Sequence, residues 1–254
     1  MRTLLWLFVT VAASVGTAIA GLALVRYVVP IQKLEANNDV AGNYLQTLGT
    51  IYAVLLAFVV FVVWSQQNEV EKVIAREANE LADVVRIVRA AGEPCRSRAM
   101  EAACAYTREV VEHEWRAMAH GSGTPEAARL IEAIWASVEA IPTHSPREQA
   151  LYSEALARFN DFNNARTDRL QSSRTRMPPT MWLLLLTGGC STVGSMYMFG
   201  IESFCSHALM TGSMAGAVSF VLFLIGDLDN PFTGDWRVTP DPLRLAMQQM
   251  ERLG

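Results

Sequence analysis

Four stretches of this sequence, 4–25, 46–64, 181–200 and 208–226, run without a single charged residue, and they leave the chain few ways to fold. A hydrocarbon core about 30 Å thick is crossed by about 20 predominantly apolar residues rising 1.5 Å each. Inside it, backbone amides must be bonded within their own segment, so runs of this kind are helices. The spacing sets out a first transmembrane pair within 1–64, a helical domain over 65–180, a second pair over 181–226 and a tail over 227–254. Residues 201–207 allow only a tight hairpin between the last two runs. The expected class is all-α, with four transmembrane helices and a helical domain inserted between the second and third.

The balance of 51% hydrophobic to 18% charged residues agrees, since most of the charge lies between Glu69 and Arg176. A net charge of -4 offers nothing to a nucleic acid. Orientation follows from the retention of Lys and Arg on the cytoplasmic side. With four crossings, the N-terminus, the inserted domain and the tail share the side that carries Arg2, Lys72, Arg76, Arg166, Arg169, Arg174, Arg176 and Arg237. The other side has Arg26 and Lys33. The inserted domain is therefore expected in the cytoplasm, in a multi-pass protein of the inner membrane. The first run has a second reading, because Arg2, the apolar stretch and Ala18-Ile19-Ala20 also suit a cleaved secretory signal. Cleavage would leave the inserted domain on the same side. Cys95, Cys104, Cys190 and Cys205 show no CxxC spacing and are expected as free thiols.

Between Trp64 and Gly92 there is neither Pro nor Gly, so the second run is expected to continue as one helix beyond the bilayer. Val70, Val73, Ile74, Leu81, Val84, Val85 and Val88 recur at helical spacing and mark its buried face. A second helix after Pro94 ends at His120-Gly121-Ser122-Gly123. Thr124 with Pro125, and Ser145-Pro146-Arg147-Glu148, are N-terminal capping signals for two more helices. Pro178-Pro179 marks the junction with the third run.

Candidates for catalysis are few. Glu109, Glu112, His113, Glu114 and His120 are expected as solvated charges on one helix, without HExxH, a glycine-rich phosphate loop, GxSxG or SxxK to give them chemistry. No enzyme, cofactor or confident metal site is expected. Coupled transport calls for ionisable groups within the membrane, and the four runs hold none apart from Asp227 at the edge of the last. A passive pore lined by apolar rings needs no such group. Small residues in the second pair, Gly188, Gly189, Ser191, Gly194, Ser195, and Ala208, Gly212, Gly216, suit close helix packing or assembly of subunits around an axis.

After the fourth run comes Gly226-Asp227-Leu228-Asp229-Asn230-Pro231-Phe232-Thr233-Gly234-Asp235-Trp236-Arg237. An Asn-Pro-Phe step followed by Gly and an acid at this place resembles the segment after the last membrane helix of bestrophin anion channels. Further pieces resemble the bacterial bestrophin-like membrane family: Glu77-Ala78 with Leu81, Glu114-Trp115 with Met118 and Gly121, Arg166 to Leu170, and Pro179 with Trp182. The likeness covers nearly the whole chain. It implies a homo-oligomer in the lipid bilayer, a pentamer on the bestrophin pattern, that passes small anions through a pore lined by the second membrane helix. On that pattern Ile51, Val54, Leu55, Phe58, Phe61 and Val62 would line the pore, and Asn230, Pro231, Phe232, Gly234 and Asp235 carry the family motif. Two features depart from it. The dense acidic run that binds calcium in bestrophins is replaced by Asp235-Trp236-Arg237, which leaves Asp227, Asp229 and Asp235 as weak metal candidates. No bestrophin-like series of aromatic residues at four-residue steps fits the proposed neck. The competing expectation is a non-conducting scaffold or sensor that binds a partner through its inserted helical domain.

Overall fold

A computed structural model describes residues 2–253, all of whose regular structure is helical. The helices are α1 (Arg2–Val28), α2 (Ile31–Glu35), α3 (Asn38–Arg89), α4 (Cys95–Glu109), α5 (Trp115–Met118), α6 (Pro125–Glu139), α7 (Pro146–Arg174), α8 (Pro179–Ser195), α9 (Phe204–Leu228) and α10 (Asp241–Leu253). A π-helical turn, Val110–Glu114, joins α4 to α5, and a 3-10 turn, Met196–Met198, follows α8. Two compact units result: residues up to 65 with 176–229, and 66–175 with 230–254.

In the first unit, glycine decides which helices meet. Gly212 and Gly216 of α9 lie under Val11, Val15 and Ile19 of α1. The Gly212/Gly216 face is thus taken within the chain, as close helix packing, the first of the two readings offered for these small residues. Ser14 Oγ donates to the Ala215 carbonyl at 3.4 Å and Tyr197 Oη to that of Ala18 at 2.9 Å. Gly188 and Gly189 of α8 lie under the ring of Tyr52 on α3, whose hydroxyl donates to the Leu185 carbonyl at 3.0 Å. At one end Asn38 and Gly200 are paired through both amide groups, at 2.8 and 3.1 Å.

Helices α1, α3 and α9 are each long and apolar enough to cross a membrane. The expected third span is shorter than its apolar run. Helix α8 has 17 residues and tightens into the 3-10 turn before Gly200. At 1.5 Å per residue it rises about 26 Å, and the turn adds about 6 Å at 2.0 Å per residue.

The second unit contains the C-terminal part of α3, a helix that runs without a break for 52 residues from Asn38. Its buried Val70, Ile74, Leu81, Val84, Val85 and Val88 share one core with Tyr106, Val110, Ile131, Ile134, Val138, Phe159 and Phe162 of the neighbouring helices. The tail contributes α10, whose Leu243, Ala246 and Met250 join that core. Both capping signals act as their sequences suggest. Thr124 Oγ1 accepts from Ala127 N at 3.3 Å, and Ser145 and Glu148 form a reciprocal box at 2.8 and 3.2 Å. Ser145→Ala should remove one side of that box and cost about 1 kcal/mol. A denaturant titration followed by helical circular dichroism checks this, and an unchanged midpoint would show that α7 does not need its cap.

Candidate functional site

The face of α3 that bears the pore-lining candidates is largely uncovered within the described chain, although Leu55 at its margin packs against the cluster of Val59 and Val63. Ile51, Val54, Phe58 and Phe61 are 64, 66, 64 and 68% exposed, and Leu55 and Val62 flank them half-buried. Steps of three and four residues hold this set to one side of the helix. The other side is occupied: Tyr52, Val59 and Val63 are buried, the last two in a cluster with Leu185, Ile225 and Leu228. One end of the exposed stripe is bordered by Thr47 and Thr50, whose hydroxyls donate to carbonyls one turn back. No Asp, Glu, His, Lys or Arg interrupts α3 between Asp39 and Glu69. The arrangement offers a bare hydrocarbon face, suited to lipid or to a dewetting constriction and unsuited to binding by charge.

In the second unit, three pieces of the family likeness meet at one buried ionic cluster. Arg169 of α7 is fully buried, as are Glu77 of α3 and Glu114 of the π turn. Arg169 donates to both carboxylate oxygens of Glu77, to Glu114 Oε2 at 2.8 Å and to Tyr106 Oη at 3.3 Å. Glu114 Oε1 accepts from Arg166 at 3.1 Å and from Thr124 N at 3.2 Å, and the Tyr106 hydroxyl donates to Glu77. Two carboxylates thus face two guanidinium groups, the condition under which burial of charge is tolerable. Burial opposes the charge on Arg169, but Glu77, Tyr106 and Glu114 overcome it and hold its pKa well above the usual value.

Burial first, and Glu77 next, push the Tyr106 phenol well above its ordinary range. A raised folded pKa gives stability that is complete below the unfolded value, near 10, and is lost as pH rises beyond it. Tyr106→Phe should therefore flatten the alkaline limb of a stability-pH curve, and an identical limb in the variant would exclude this phenol as its source.

Several expectations are corrected here. Glu114 is not a solvated charge: the π turn adds a residue to the helical repeat, and its side chain is buried. Glu109 is also largely covered and accepts from Thr124 Oγ1 at 2.8 Å and from His113 Nδ1 at 3.0 Å. Glu112, His113 and His120 are exposed as expected. Arg166 and Arg169, counted among the basic residues that set orientation, spend their charge on Glu77 and Glu114. A sequence signal for the cluster existed: Glu77 interrupts the apolar seam between Ile74 and Leu81, and Arg169 falls on the stripe of Phe159, Phe162 and Ala165.

The Asn-Pro-Phe motif forms a closed turn. Asn230 Oδ1 accepts from Phe232 N at 3.2 Å, Asn230 O accepts from Thr233 N at 3.1 Å, and Val238 N donates to Pro231 O at 2.8 Å. Phe232 is buried edge-on against Trp115, with ring centroids 5.5 Å apart. Gly234 adopts a φ of 79°, where a side chain is strained. Gly234→Ala should cost about 1–2 kcal/mol, read as a lower unfolding midpoint; an unchanged midpoint would mean the turn relaxes freely.

Of the weak metal candidates, Asp229 Oδ1 accepts from Met177 N at 2.7 Å, and Asp235 is exposed in the turn. Asp227 closes α9 half-buried. Among the described residues no three His, Cys, Asp or Glu side chains are grouped to hold a metal. The four cysteines are free thiols.

Comparison with known proteins bears on both sites. Among curated proteins none matches the sequence. Among solved structures, a bacterial bestrophin homolog from Klebsiella pneumoniae superposes with a TM-score of 0.64 at 12% identity, over 96% of this chain and 96% of that one. A substituted form of the same homolog gives 0.68 at 13% identity, over 99% and 96%. At such identity the likeness establishes the fold. The family model for the bestrophin-like domain matches residues 12–243, which takes in the α3 stripe, the ionic cluster and the motif turn. This integral membrane protein belongs to the bestrophin-like family.

Proposed function

We propose that the chain is one subunit of a homo-oligomer, a pentamer on the bestrophin pattern, that lets small anions pass down their gradient along an axis lined by α3. The observation that carries this reading is the largely uncovered apolar stripe of Ile51, Val54, Phe58 and Phe61, with Leu55 and Val62 at its margins. A monomer leaves that stripe to lipid; subunits arranged around an axis turn it inward as stacked hydrophobic rings. The stripe carries no ionisable group, so the flow is passive and uncoupled to protons. Anion preference is carried over from the resemblance to bestrophin anion channels.

In this arrangement the chain crosses the inner membrane four times, with spans at 4–25, 46–64, 181–200 and 208–226. Helix α8 and its 3-10 turn together rise about 32 Å, enough for the third crossing. The N-terminus, the helical domain over 65–180 and the tail over 227–254 then lie in the cytoplasm. Retention of the first span is supported by the seating of α1 on the glycines of α9, a face that cleavage after Ala20 would strip. Asn230, Pro231, Phe232, Gly234 and Asp235 act in this reading as a structural turn, and no calcium is assigned to Asp227, Asp229 or Asp235.

The mass of the purified complex tests the assembly. Native mass spectrometry from detergent should give a closed ring, five chains on the family pattern. A monomer would overturn the reading, because one subunit's α3 cannot enclose a path.

A further inference from the structure

The exposed side of α3 continues past its apolar stripe. Steps of seven residues lead from Phe58 to Ser65 and Lys72, and from Val62 to Glu69 and Arg76. A straight helix drifts only about 20° per such step, so these residues keep to one side of an unbroken helix. Burial agrees: Ser65, Glu69, Lys72 and Arg76 are exposed, while Gln67, Val70 and Ile74 are buried. We propose that Glu69 and Lys72 set the ion sign of the path, Lys72 admitting anions against cations and Glu69 doing the reverse, a role that rests on the reading of α3 as the lining of an oligomeric path.

No Asp, Glu, His, Lys or Arg stands on α3 from 40 to 68, so these two are the first charges that α3 offers an ion beyond the stripe. Glu69 Oε2 and Lys72 Nζ form a pair at 3.4 Å with side chains 58 and 70% exposed. Such a pair is held by at most about 1 kcal/mol, which leaves both groups free to meet an ion in water. One turn further on, Arg76 lies 3.9 Å from Asp168 of α7, which offsets its charge. Repeated around an axis, Glu69 and Lys72 become two rings of opposite sign about 4.5 Å apart in helix rise. Acidic rings favour cations and basic rings favour anions. The rings are equal in number, so each ion sign meets one that attracts it and one that opposes it. Removing either member leaves the other uncompensated.

Reversal potentials of the purified full-length oligomer in planar bilayers, under a sodium chloride gradient, read the permeability ratio of chloride to sodium. Glu69→Gln should raise that ratio about fivefold and Lys72→Gln should lower it about fivefold, the equivalent of about 1 kcal/mol for one charge acting at close range in water. Both shifts should shrink in molar salt, where the Debye length falls to about 3 Å. Glu71→Gln removes the same charge as Glu69→Gln, but two residues away on another side of the helix, and should leave the ratio unmoved. All three residues are exposed, and the oligomeric mass of each variant verifies its assembly. From a conducting parent, a ratio unmoved in both Glu69→Gln and Lys72→Gln, a shift of both in one direction, or an equal shift in Glu71→Gln would overturn the proposal while leaving α3 as the lining. A silent parent would contradict the reading of α3 itself, and the role of the pair falls with it.

Discussion

Replacing Arg169 by methionine is expected to destabilise the protein by about 3–5 kcal/mol, because removing one partner of a buried ion pair leaves uncompensated charge in the interior. The variant leaves Glu77 with the donor hydroxyl of Tyr106, and leaves Glu114 to Arg166 and Thr124. Unfolding in detergent, followed by circular dichroism against denaturant, measures the loss. A loss below about 1 kcal/mol, typical of exposed pairs, would show that water reaches the cluster.

Phe58→Ala is expected to change conduction with little effect on assembly. Phe58 is exposed on the stripe, so its truncation removes almost no packing within the chain. In an assembled pore it would widen a ring whose apolar lining governs wetting, the step that limits conduction through a hydrophobic constriction. Single-channel recording should show a larger unitary conductance or an altered ion preference, while Val59→Ala, on the buried side, should lower stability by about 0.5–1.5 kcal/mol or more. Identical traces from Phe58→Ala and the parent would take α3 out of the conduction path.

Much of this fold can be read from residue order alone because its signals are local. The uncharged runs announce α1, α3 and α9, and Ser145 with Glu148 marks the start of α7 to the residue. The absence of Gly and Pro from Trp64 to Gly92 foretells the unbroken α3. What stays hidden depends on partners far apart in the chain. Nothing near Gly188 says that the ring of Tyr52 will cover it, and nothing near Gly212 names Val15. The pairing of Glu77 with Arg169 across 92 residues is invisible until α3 and α7 are placed side by side. Helix α10 carries a local signal of its own, since Pro242 stands in its first turn and Leu243, Ala246, Met247 and Met250 recur at helical spacing; what residue order leaves hidden is the core that they join. The apolar run ending at Gly200 overstates α8, since hydropathy does not register the tightening after Ser195. For the candidate pore, the sequence supplies the face and the family likeness supplies its use; burial of Tyr52, Val59 and Val63 adds that the opposite face is already taken.

The claim that α3 lines an oligomeric anion path is tested most directly by planar-bilayer recording of the purified complex under a chloride gradient. The account predicts a passive current that reverses near the chloride equilibrium potential and is altered in Phe58→Ala. Silent bilayers across a range of pH, calcium and voltage, from a complex verified as oligomeric, would contradict it.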